Sequence, residues 1–176
     1  MSAEQPAGRI SASLVPEYDN EMSITRKHLE RVPDEKLSWG PHDKSMTMGG
    51  LASHLAESVS WGPMMLNSDS MDFDSPEMQD YKPPNFENRA AILEAFDANV
   101  VSTREVLASK TDSEWMELWT MKKGDAVLAS MPKVAVVRGF LMNHNVHHRG
   151  QLSVYLRMCD VPVPQTYGPS ADETNF

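Results

Sequence analysis

The sequence predicts an all-α fold, an antiparallel four-helix bundle with long loops and little or no strand. Three observations lead there. Four stretches carry apolar residues at three- and four-residue spacing, which marks a helix buried along one face. Polar or proline-rich segments separate them. At 176 residues the chain has the size of one domain, 1–176, able to bury a core without disulfides.

The first helix is expected from about Ile10 to Arg31, with Leu14, Tyr18, Met22, Thr25 and Leu29 on one face. Pro33-Asp34 ends it. The connection "EKLSWGPHDKSM" contains the breaker Trp39-Gly40-Pro41. A second helix is expected from about Thr47 to Leu66, capped by Thr47 or Ser45, with Met48, Leu51, Leu55, Val59 and Met65 inward. Residues 67–85, acidic and proline-containing, read as a surface loop. The third helix, about Phe86 to Ser109, presents Ile92, Phe96, Val100, Thr103 and Leu107. The segment "TDSEWMELWTMKKGDAVLAS" fits either a short hairpin or an extended crossing. The fourth helix, about Pro132 to Cys159, opens on a proline whose missing N–H costs nothing in a first turn. The tail "VPVPQTYGPSADETNF" cannot be helical through its prolines.

Composition narrows the function. A net charge of −9 with no local basic cluster disfavours nucleic acid and anionic membrane surfaces as partners. The N-terminus lacks an apolar signal region, and the longest apolar runs fall far short of the ~20 residues of a membrane span. A single cysteine, Cys159, fits a reducing compartment, so a cytoplasmic location is expected. The thirteen methionines are scattered, as core filler is, and not spaced as soft-metal ligands.

Half of the six histidines lie in "NHNVHHRGQL", residues 143–152. On a helix, positions four apart differ by roughly 40°, so His144 and His148 share a stripe with Val137, Leu141, Leu152 and Tyr155. Two buried imidazoles need partners, either hydrogen bonds to backbone and water or a metal ion. A pair of ligands binds weakly, and a third is sought among His28, His42 and His54. His54 sits beside Leu51, Leu55 and Ser58 and faces inward; His28 lies among charges and reads as solvated, and His42 reads as a turn residue. Ligands from facing helices converge inside a bundle. Asn145 stands where an H-E-x-x-H peptidase would carry its glutamate, so the pair brings no built-in base. Three neutral imidazoles leave coordination positions open, as a catalytic metal requires.

The pairing of "MTMGGLASHLAES" with "NHNVHHRGQLSVYLR", closed by "VPVPQTYGPSADE", resembles the DinB family, the DinB/YfiT-like metalloenzymes. The resemblance covers nearly the whole chain in order. It implies an up-down-down-up bundle, commonly dimeric, with a metal held by one histidine of the second helix and two of the last. These match His54, His144 and His148, the three chosen above by stripe. His147 is then either an outer partner of the site or a packing residue. Arg149 and Gln151 are expected to point away from the site and pair with tail carboxylates such as Asp172 or Glu173. Gly150 is expected to admit a close neighbour. Glu57, one turn after His54, is a candidate to orient an imidazole or act as a base, with solvated surface as the plainer role.

Two functional classes follow. Relatives in this superfamily are S-transferases and isomerases that use bacillithiol, mycothiol or glutathione. The resemblance therefore implies a divalent metal, nickel or zinc, that activates a low-molecular-weight thiol toward a small-molecule substrate. Tyr155 is the candidate donor to a developing oxyanion, and a hydrolytic variant is open too. The alternative is a non-catalytic metal-binding or dimerisation bundle of a stress response. Val134, Val136 and Phe140 are candidates for a homodimer face, or equally for packing within the chain.

Overall fold

A computed structural model describes residues 8–174. Its helices are α1 (Arg9–Leu29), α2 (Met48–Ser58), α3 (Trp61–Asn67), α4 (Pro76–Gln79), α5 (Arg89–Ser109), α6 (Asp112–Met116), α7 (Lys133–Val136) and α8 (His144–Met158). Helix α1 packs on α5 and α8, and α2 packs on the same two, closing a ring around the main core. Tyr18, Leu29, Met48, Leu55, Phe96, Trp115, Leu152 and Leu156 fill its interior. No helix among the described residues is long and apolar enough to cross a membrane.

The chain is not purely helical, which corrects the expectation of an all-α fold. Strands β1 (Ser70–Asp72), β2 (Leu118–Lys123) and β3 (Ala126–Pro132) form a sheet in the order β1-β2-β3. The ambiguous segment is a hairpin, with Lys123 opposite Ala126 and a positive φ at Gly124, the first turn residue. A glycine there removes the steric penalty of that backbone. Strand β1 runs parallel to β2 inside the stretch read as loop. Trp119 of β2 is buried with Met65 and Val136 in a second, smaller core, which ties the sheet to α3 and α7.

The second helix, expected unbroken to Leu66, divides at Val59–Ser60. Side chains of α5 make the break affordable in hydrogen bonds: Asn99 donates to the Ala56 carbonyl and Thr103 to that of Val59. Gly62 follows at a contact so close that a Cβ would lie 2.4 Å from Thr103 Cγ2. Thr47 caps α2, its hydroxyl accepting from Gly50 N.

The last helix is continuous from Lys133 to Met158, near the expected span, but its middle, Val137–Asn143, is π-helical. Such segments are rare and concentrate at functional sites. This one ends directly against His144. Val134, Val136 and Phe140 all pack within the chain.

Candidate metal centre

Thr47 starts α2 and places His54 two turns in, while the packing of α2 on α8 sets it opposite His144 and His148. The three Nε2 atoms converge. His54 Nε2 lies 3.3 Å from His144 Nε2, and His148 Nε2 lies 2.9 Å from the same atom. A tetrahedral ion with ligands about 2.1 Å away separates their nitrogens by roughly 3.4 Å, so the spacing suits one small cation. All three side chains are partly buried.

What stands behind each ring matters as much. His148 Nδ1 donates to Gln151 Oε1 at 2.7 Å, which turns the Nε2 lone pair toward the cluster. His54 Nδ1 faces Glu57 Oε2 at 3.8 Å. His144 stacks on Trp61, centroids 5.1 Å apart, and its buried Nδ1 has no partner. One N–H on His144 can satisfy only one of its two imidazole neighbours at a time. A cation satisfies all three lone pairs together.

Protons are poorly placed to play that part. Burial lowers the basicity of His54 against the pull of Glu57, and that of His148 against the bond to Gln151. His144 is lowered to about 4 by burial, then by the neighbouring His148, His54 and His147. At neutral pH the three rings are uncharged, the form that binds metal.

Several sequence expectations change here. Gln151 serves His148 and does not pair with the tail. Arg149 is buried and donates to Glu21 Oε2 at 2.7 Å and to the Tyr167 hydroxyl, while Asp172 takes Arg157 and Glu173 takes Arg31. A Cβ on Gly150 would meet nothing within 4 Å, so no close neighbour explains it. His28 is fully buried, its Nδ1 bonded to the Ile24 carbonyl, while its sequence neighbours Lys27 and Glu30 are exposed. His42 is a turn residue, accepting from Lys44 N. His147 is exposed, its ring 5.0 Å from that of His148. Glu57 is buried, not solvated, and Tyr155 donates to the Met46 carbonyl at 3.2 Å.

Sequence reasoning missed Trp61 and Tyr81. Trp61 follows His54 by seven residues, a helical repeat that points to the same side, and this signal was available. Tyr81 lies in an irregular stretch with no period to read.

Comparison with known proteins agrees with this architecture. The sequence model of the DinB family matches residues 7–175. An uncharacterized protein of Bacillus subtilis strain 168, YrdA, is 29% identical over 156 residues, covering 89% of this chain and 87% of that protein. The crystal structure of a DinB-like protein from Bacillus cereus ATCC 10987 superposes with a TM-score of 0.68 at 22% identity, covering 89% of this chain and 97% of that one. A second, the DinB-like protein YjoA of Bacillus subtilis, gives 0.66 at 14% identity, with 93% and 99% covered. With the match spanning all the described residues, the chain belongs to the DinB family.

Proposed function

We propose that His54, His144 and His148 hold one divalent transition-metal ion, nickel or zinc, and that the protein is a metal-dependent enzyme of the thiol S-transferase/isomerase or hydrolase type. The reading includes a cytoplasmic homodimer with its helices in the up-down-down-up order of a four-helix bundle. The observation that carries it is the convergence of three imidazole Nε2 atoms from two facing helices. Among the described residues the group has three members, which favours an open coordination position over a closed structural site.

When bound, the ion supplies Lewis acidity, lowering the pKa of a thiol or water. The chain does the rest. Gln151 orients His148, Glu57 stands beside His54 to orient it or to serve as a base, and Trp61 walls one side of His144. Tyr155 is the proposed donor to an oxyanion, releasing the Met46 carbonyl to do so.

The test is metal analysis of protein purified without an affinity tag, followed by conjugation assays with each low-molecular-weight thiol. One ion per chain is expected, lost in His144→Ala with the fold intact by circular dichroism. Stoichiometric metal retained by a His54, His144 and His148 triple alanine variant rejects the site. Bound metal without turnover of any thiol or hydrolytic substrate favours the non-catalytic alternative. Light scattering after size exclusion decides the dimer.

A further inference from the structure

Resting on that metal reading, we infer that Tyr81 and Trp61 are positioning residues that hold one carboxylate oxygen of Glu57 and so direct the other at His54. Glu57 Oε1 accepts from Trp61 Nε1 at 2.9 Å and from the Tyr81 hydroxyl. Oε2 is buried, accepts no hydrogen bond and faces His54 Nδ1 at 3.8 Å. Two donors on one oxygen fix the carboxylate's rotation. The remaining oxygen is an acceptor in a poorly solvated place, where an unmet acceptor is unfavourable. It favours the His54 tautomer with its proton on Nδ1, which leaves Nε2 free to bind a cation.

The loop bearing Tyr81 is fastened to α2 on both sides of His54. Tyr81 bonds Glu57, three residues after the histidine, and Phe86 N donates to Ser53 Oγ at 3.0 Å, one residue before it. The loop thereby sets how the first metal ligand is aimed. Burial and the Glu57 carboxylate push the Tyr81 hydroxyl well above its ordinary pKa, so it stays a donor.

The experiment is a Zn²⁺ titration of tag-free apo protein against a chromophoric chelator, with ¹⁵N NMR of the His54 ring in the same samples. Glu57→Gln is expected to weaken Zn²⁺ binding about 10- to 100-fold. Tyr81→Phe should weaken it about 3- to 10-fold, and Trp61→Phe, which removes only the N–H donor, should act in the same direction. Because Tyr81 works through Glu57, the double variant should bind no more weakly than Glu57→Gln alone. In the apo wild type, His54 should carry its proton on Nδ1, and Tyr81→Phe should shift it toward Nε2. Additive losses, or wild-type affinity and tautomer in Tyr81→Phe and Trp61→Phe, overturn the inference. A wild type that binds no Zn²⁺ rejects the metal reading instead, and the tautomer measurement then decides on Tyr81 by itself.

Discussion

Helix α8 carries two polar clusters about a quarter turn apart, and they are completed in different ways. On one side, Arg149 donates to the Glu21 carboxylate and carbonyl, to Thr25 and to Tyr167, and Thr25 donates to Asn145. On the other, His144 and His148 meet His54 with ring nitrogens facing one another, and one nitrogen is left without a partner. The first cluster is closed and joins α8, α1 and the tail. The second has acceptors to spare. Burial alone does not distinguish them; His28 is also buried with an unpartnered Nε2, yet among the described residues it belongs to no cluster of ligating side chains. A ligand site is marked by several unmet atoms sharing one point in space.

The contrast can be broken most strongly at Arg149. Arg149→Met leaves the Glu21 carboxylate buried without its cation and should cost about 3–5 kcal/mol, read by denaturant unfolding. An unchanged midpoint would mean the closed cluster does not hold the fold. The open cluster should respond to ligand: metal at a hundredfold excess over its Kd should stabilise by about 2.7 kcal/mol at pH 7.5. Without metal, stability should fall as pH drops from 6.5 toward 4, because unfolded histidines take up protons near 6.5 whereas folded His144 resists to about 4. The metal-induced gain, measured at one fixed metal concentration, should fall away as pH drops toward and below 4, where folded His144 itself is protonated and protons compete with the metal. A metal-induced shift that persists unchanged well below pH 4 would argue against imidazole ligands. The smallest effect sharpens the picture: Tyr167→Phe removes one hydroxyl shared by Arg149 and Glu21 and should cost about 1 kcal/mol without altering metal affinity.

Long-period signals in the sequence carried the most information. The faces of α1, α5 and α8 and the inward placing of His54, His144 and His148 on their helices follow from helical spacing, which local residues set, whereas their meeting depends on the packing of α2 on α8. The sheet was harder because β1 is three residues long and exists only through pairing with β2, some fifty residues away. The division of α2 from α3 depends on Asn99 and Thr103, donors supplied from another helix. Gln151 lies off the stripe of His148, yet side chains three apart on a helix are within reach, and it bonds that imidazole in place of the expected tail carboxylate. The carboxylate partner of Arg149, Glu21, lies 128 residues away in sequence and not in the nearby acidic tail.

The π-helical stretch Val137–Asn143 sets two rotational phases within a single rod. Upstream of it, Val134 and Val136 are aligned with the cores; downstream, His144 and His148 are aligned with His54. Shortening this stretch by one residue would turn one half against the other by about 100°. The valines and the histidines could not then both keep their orientations, so insertions and deletions here should be tolerated far less than substitutions.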